Sequence, residues 1–453
     1  MIKTFALFLP DIKIFIKEKD YASLKNLLKE ISPIDLVDGW GDFNSQEQLL
    51  LFKLLDRERA VEVFEELDFE DQYYLLGGIE PGSIGPVLED LSPEDATGFF
   101  HRLPEKTVRK LFSIMKKERV ERVQHRLSFN EGSAGRLMQS DFPILKSDLS
   151  ARQAIERIQI ALRSKQSKRV HTFFITNQQG QLLGGISMRR LITAPPDIRL
   201  HEIMSPVQIL KVNVDVDQEE VAQLFAKYDL IDAPVVDNQN RLVGILTIDD
   251  IVDVINQEAT EDIAKMAGTE PEELTTRSVL GVVKARMPWL LASWIGGIGA
   301  SLLIGKFEGV LSQVVALAAF LPVIMGMGGN VGSQSSTIVV RGLATGYIQV
   351  NELRKVFFKE IRVALILGVG YGIMLSLAAY VIYGISLSLK FPLVVGLGII
   401  FSITFASTLG AMLPMIFKRL GFDPAVAAGP FVSTTTDIMS ILIYFSLAGM
   451  LLL

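Results

Sequence analysis

The sequence predicts a multidomain chain: an all-α superhelical N-terminal domain, a duplicated α/β pair, an acidic connecting helix, and an all-α membrane domain of five transmembrane helices. Three observations carry this reading. Of the 453 residues 49% are hydrophobic, and that length exceeds one ordinary core. From Arg277 onward the chain holds 12 Lys and Arg against 5 Asp and Glu, leaving 33 against 46 before it, so a net charge of −6 divides into +7 and −13. The charge-free stretches long enough to span a bilayer follow Arg277. The expected boundaries are 1–130 for the first domain, 131–257 for the pair, 248–270 for the connecting helix and 277–453 for the membrane domain.

In the first domain apolar residues recur every three or four positions between Tyr21 and Arg126, as in "RAVEVFEELDFEDQYYLLGGI". The breaks "EPGS", "LSPED" and "LPEK" place Pro, Ser, Asp and Glu where helices start. A stack of short helices follows, without strand signal. The opening "MIKTFALFLPDIKIFIKEKD" is broken by Pro10 and Asp11 and has no small-residue cleavage site, so it does not read as a signal peptide, and the acidic part is expected in the cytoplasm. With no cysteine, and His101, His125, His171 and His201 scattered, disulfides and zinc sites are excluded.

The pair shows as an echo: "LMQSDFPILKSD" followed by "FFITNQQGQLLGGISMRRLI" returns as "IMSPVQILKVNVD" followed by "APVVDNQNRLVGILTIDDIV". Each copy reads strand, helix, strand, turn, strand, helix. The echo resembles a tandem pair of cystathionine-β-synthase-type (CBS) domains, near 137–196 and 203–257. That resemblance implies dimerisation and sensing of adenine nucleotides or ions. A hydroxyl followed three residues on by Asp contacts ribose in such domains; the second copy keeps Thr247 and Asp250, whereas the first has Ser187 and Arg190, which weakens the expectation of ATP as a modulator.

The connecting segment "TIDDIVDVINQEATEDIAKMAG" carries Asp249, Asp250, Asp253, Glu258, Glu261 and Asp262 at helical spacing. Like charges three or four apart repel, so either the face is solvated or a divalent cation screens it. Oxygen ligands of this kind favour magnesium or calcium.

Five spans are expected: Pro288–Gly305, Gly309–Val340, Val363–Leu389, Phe391–Phe417 and the stretch containing Asp437. With the N-terminus inside, Arg341, Arg354, Lys355, Lys359, Arg362, Lys418 and Arg419 fall on cytoplasmic connections, and the C-terminus lies outside. "VNELRKVFFKEIR" reads as a helix lying at the inner interface. In the second span, "MGMGGNVGSQSST" supplies glycines for a broken or closely packed helix.

Asp437 is the one charged residue between Pro424 and Leu453. A carboxylate at mid-membrane costs about 2.5–3.5 kcal/mol on insertion scales, so it should face a polar cavity or a partner. It either ties helices together through Thr434, Thr435 and Thr436 or lines a path. Two copies about a symmetry axis would form a ring that attracts divalent cations. "GPFVSTTTD" adds carbonyls and hydroxyls beside it, and Asn330, Ser333, Gln334, Ser335 and Ser336 offer polar groups to an ion's water shell.

The order of parts, with "GGNVGSQSSTIVVRGLATG" at 328–346 and "FDPAVAAGPFVSTTTDIMS" at 422–440, resembles the MgtE family of magnesium channels and transporters. The resemblance implies a homodimer in the cell membrane in which spans two and five line the path, Asp437 is the selectivity-filter acid, and the backbone near Gly429–Ser433 holds a largely hydrated ion. Thr434, Asn330 and Gln334 join that pore set. It further implies regulatory magnesium on the connecting (plug) helix at Asp250, Asp253, Glu258, Glu261 and Asp262, and on Glu219, Asp229 and the Ala226 backbone. Asp423 is similar to an acid that pairs with Glu261 or Asp262 through an ion, and Asp95 and Glu94 are the N-terminal acids expected opposite Asp250. The function expected is magnesium influx closed by cytosolic magnesium. A carrier of Co2+, Ni2+ or Mn2+ and a non-transporting membrane-anchored sensor are the alternatives. A transporter of anions or proton-coupled solutes predicts basic pore residues or more than one intramembrane acid, and the sequence shows Asp437 alone. No nucleophile–base pair, phosphate loop or catalytic metal motif points to an enzyme, and no nucleic-acid partner is expected.

Overall fold

The computed structural model describes residues 4–91, 93–140, 142–163, 171–206, 211–274, 278–383 and 388–453. The chain divides into two compact units, Met1–Val254 and Ile255–Leu453.

In the first unit, short helices of 6 to 11 residues follow one another from Leu9 to Leu127, without strands among the described residues. The breaks at "EPGS" and "LPEK" do start helices, at Pro81 and Glu105, but without a side-chain cap; capping side chains stand at other starts. The side chains of Asp20, Ser32 and Asp56 each accept the backbone N–H three residues on, and Asn44 with Glu47 forms a reciprocal capping box. The apolar stripes of these helices meet in one core around Leu24, Leu28, Phe64, Leu88 and Phe100.

The duplicated region follows in the same unit. In the first copy Leu145–Lys146 pairs parallel with Thr172–Thr176, which pairs antiparallel with Leu182–Ser187 and through it with Ser205–Pro206. The second copy repeats the pattern with Val212–Asn213, Asp232–Val236 and Leu242–Thr247. Bulges recur at the equivalent places, between Ile175 and Thr176 and between Val235 and Val236, so the echo is structural down to a register shift.

The connecting helix, Ile248–Ala267, crosses the boundary between the units. Beyond it the second unit contains five long helices: Val279–Lys306, Leu317–Ala344, Leu353–Tyr383, Lys390–Arg419 and Pro430–Leu452. Four segments among the described residues are long and apolar enough to cross a membrane, by length and composition. The exception is Leu317–Ala344, whose Gly, Ser, Asn and Gln run dilutes its hydropathy although it spans 28 residues.

Two expectations change here. "VNELRKVFFKEIR" is not a separate interfacial helix: after a single 3-10 turn at Val350–Glu352 it runs continuously into the third long helix. The second span is unbroken through its glycines, and the interruption lies earlier, between Gln313 and Leu317. The glycines serve close approach instead. A Cβ on Gly410 of the fourth helix would overlap the carbonyl of Gly332 on the second, and a Cβ on Gly332 would stand 3.2 Å from side-chain carbons of both Val432 and Thr436 on the fifth. The second, fourth and fifth helices therefore touch near their backbones, with Phe320, Ile324, Ile399, Ile403 and Tyr444 packed beyond that contact.

Candidate functional site: a carboxylate beside a glycine stripe

Asp437 lies on the fifth long helix, half-buried, facing the second. A Cβ on Gly329 would be 3.8 Å from Asp437 Oδ1, an ordinary contact, so the carboxylate faces the backbone of the second helix at this glycine. One turn earlier Ser433 meets Ser333 of the second helix, Oγ to Oγ 3.4 Å. Asn330 and Gln334 are exposed on that helix beside these contacts. A carboxylate, serine hydroxyls and two carboxamides thus share the meeting line of the second and fifth helices, a donor set suited to a hydrated cation.

The three threonines before Asp437 divide in their roles. Thr436 is buried and donates to the Ser433 carbonyl at 2.9 Å, which ties the helix to itself. Thr434 turns to the first helix, where its methyl fills the space above Gly296, so in this chain it packs helices rather than joining the polar line expected of it.

Gly429 caps the start of the fifth helix and sits under the end of the connecting helix. A Cβ there would fall 2.9 Å from the Met266 carbonyl oxygen and 3.1 Å from that of Lys265. A side chain would push the two elements apart. Beside this contact Lys265 Nζ donates to Asp423 Oδ2 at 2.5 Å and to Glu261. Burial works to lower the lysine's pKa, but hydrogen bonds to Asp423 and then Glu261 outweigh it and hold the ammonium well above the ordinary lysine range. The expected ion between Asp423 and Glu261 therefore has a lysine ammonium in its place. The two carboxylates converge on this one ammonium.

Sequence reasoning missed Lys265, because nothing local marks a partner 158 positions away. It also missed Glu360, which belongs to the buried stripe Val356, Glu360, Ala364, Gly368 and Gly372 of the third long helix. Its Oε2 accepts from Ser335 at 2.9 Å and Ser407 at 3.0 Å. The helical bundle thus holds a buried acid besides the half-buried Asp437, just before the expected third span. The signal was present: an acid on the apolar face of a periodic segment.

In the first unit Asp250 is 3% exposed. Its Oδ2 accepts from the Thr247 backbone at 3.2 Å, the Thr247 hydroxyl at 2.6 Å and Gln139 Nε2 at 2.6 Å. Thr247 and Asp250 thus bond each other at the start of the connecting helix, and Asp250, expected opposite Asp95, is buried beside Gln139. Asp229 takes a left-handed conformation, φ 51°, at the end of helix Gln218–Tyr228, with Ala226 exposed beside it. Glu219 stands seven residues before Ala226, about 10 Å along the axis, too far to share one ion within a chain. Asp253 is exposed, and Glu258, Asp262 and Asp95 are half-buried; the Glu94 side chain lies outside the described residues. Among the described residues no three His, Asp or Glu side chains come together as a metal site.

Residues 321–447 match the MgtE family model, described as a divalent cation transporter, residues 31–132 match the MgtE intracellular N domain, and residues 200–257 match the CBS domain. The chain is 34% identical over 444 residues to the magnesium transporter MgtE of Thermus thermophilus, covering 96% of this chain and 97% of the relative. It is 27% identical to the magnesium transporter MgtE of Bacillus subtilis, covering 96% of each. Among solved structures, the crystal structure of the cytosolic domain of the Mg2+ channel MgtE in complex with ATP matches 54% of this chain and 98% of that one, at 30% identity and a TM-score of 0.51. With the soluble helical domain, the CBS fold and the long apolar helices on one chain, this protein belongs to the MgtE family.

Proposed function

We propose that this chain carries Mg2+ across the cytoplasmic membrane, as an influx channel or transporter gated by cytosolic Mg2+. The observation that carries the reading is Asp437, the carboxylate that the fifth helix holds against Gly329 of the second, near Ser333, Ser433 and exposed Asn330 and Gln334. Two copies of the chain, each turning this polar line to the other, would set two carboxylates about one axis. That ring rejects anions and attracts a divalent ion that keeps much of its water. Basic residues at the expected inner ends of the helices support an orientation with the N-terminus in the cytoplasm and the C-terminus outside.

For gating, the −13 charge before Arg277 supports a feedback device. Bound Mg2+ would draw the acidic surfaces of the N-terminal domain, the CBS pair and the connecting helix together; falling Mg2+ would let them repel and release the path. Asp95, Glu219, Asp229, Asp253, Glu258, Glu261, Asp262 and Asp423 are the acids assigned to this. ATP, present in the related cytosolic domain, would act as a modulator at the CBS pair.

The test is Asp437→Asn in vesicles with a defined Mg2+ gradient. Loss of divalent flux in a folded protein is expected; undiminished uptake would sink the pore assignment. Flux of Co2+, Ni2+ and Mn2+ in the same vesicles separates a magnesium pathway from a general divalent one.

A further inference from the structure

We propose that Glu360 is a positioning residue for the conducting surface: from the third helix its carboxylate fixes the second long helix against the fourth, and with it the polar groups that face Asp437. The inference rests on the reading of the second and fifth helices as the ion path.

Glu360 is 9% exposed, and its carboxylate is held by Ser335 and Ser407 of the neighbouring helices. Three oxygens from three helices close a triangle: Ser335 Oγ to Glu360 Oε2 is 2.9 Å, Ser407 Oγ to the same oxygen is 3.0 Å, and the two serine oxygens are 2.9 Å apart. The triangle has two hydroxyl hydrogens, and Glu360 Oε2 can accept both, so each serine can point at Glu360.

The second and fourth helices already meet at Gly332 and Gly410, where a bare backbone permits close approach. Such a contact carries no directional bond, so it leaves rotation about the helix axis weakly determined. Ser335 stands three residues after Gly332, and Ser407 three before Gly410. The Glu360 hydrogen bonds therefore act within one turn of the close approach and supply the missing direction. Rotation of the second helix is what decides whether Gly329, Asn330 and Ser333 face Asp437 and Ser433. A leucine at 360 would fill the space and leave the rotation free; an acid fills it and aims it.

The experiment measures Mg2+ and Co2+ flux in vesicles for the full chain and for Glu360→Ala, Glu360→Gln, Ser335→Ala and Glu360→Ala with Ser335→Ala. A loosened site predicts roughly a tenfold loss of Mg2+ flux and roughly a threefold change in the Co2+ to Mg2+ ratio for Glu360→Ala. Glu360→Gln keeps an acceptor oxygen and the shape, and should recover most of both. The double variant should be no worse than Glu360→Ala, because the two residues act through one bond. Unchanged flux in Glu360→Ala would overturn the proposal, as would equal loss of both ions at a constant ratio, which marks plain support of the fold. If Glu360→Ala does not fold, Ser335→Ala and Ser407→Ala decide: an altered ratio supports the proposal and a constant one overturns it. Absence of flux in the unaltered chain would instead sink the functional reading itself.

Discussion

Replacing Lys265 by Met removes a cation from between two carboxylates while nearly preserving side-chain length. The lysine side chain is 18% exposed, and those of Glu261 and Asp423 are 32% and 35% exposed, so water partly screens both bridges. Glu261 lies on the lysine's own helix, so only the Asp423 bridge joins two elements. At about 1 kcal/mol, the upper end for exposed ion pairs, its loss is roughly a fivefold shift in an equilibrium constant. The bridge joins the end of the connecting helix to the approach to the fifth long helix, so the shift favours the state in which they separate. If the joined state is the closed one, the cytosolic Mg2+ needed for half-closure rises about fivefold when one ion acts and about twofold when three act together. The assay is Mg2+ efflux or influx in vesicles across a titration of Mg2+ on the side facing the soluble unit. A shift in the opposite direction would refute the reasoning, because it would mean that the lysine competes with a bridging ion rather than substituting for it. No shift would remove the contact from gating altogether.

Three further outcomes are expected. Gly410→Ala places a methyl on the Gly332 carbonyl, which should separate the second and fourth helices and lower the thermal midpoint as well as flux; a wild-type melting curve would contradict the backbone contact. Hydrogen bonds from Arg286 and then Thr269 hold the Glu273 carboxyl down at about 2 from its ordinary 4.5, so this link to the first long helix is intact above about 4.5 and is lost as pH falls toward 2. Arg286→Gln should flatten that acid dependence of the thermal midpoint, and an unchanged slope would count against the link. Gly429→Ala should prise the connecting helix from the fifth helix and raise flux at high cytosolic Mg2+, and retained closure would show that the Met266 contact yields without cost.

What the sequence made legible was whatever depends on neighbours along the chain. The stacked helices of the first domain follow from apolar residues recurring every three or four positions, and the repeated strand pattern survives because each copy must bury the same face. The spans follow from length without charge, and Asp437 stood out because lipid tolerates so few acids. What stayed hidden depends on which helix lies opposite. Thr434 looked like its two neighbours until Gly296 received its methyl; Asp250 looked like the other acids of the connecting segment until Gln139 closed over it. Glu360 was hidden for a different reason: the basic residues around it are exposed and read as an interfacial anchor, which obscured an acid on the inward stripe. An acid sharing a helical stripe with Val356, Ala364 and Gly368 is the pattern that would have revealed it.

The exposed face of the second helix has a bearing on how the protein is made. Asn330 and Gln334 stay uncovered in a single chain, and Asp437 is only half-covered beside them. A newly inserted subunit alone in the bilayer would turn these groups toward acyl chains, at about 2.5–3.5 kcal/mol for the carboxylate near the midplane. In the proposed paired state the same groups meet water and each other. The chemistry that selects the ion would then also drive association, and a solitary subunit would be recognisable to membrane quality control by the same polar line that makes the assembled protein useful.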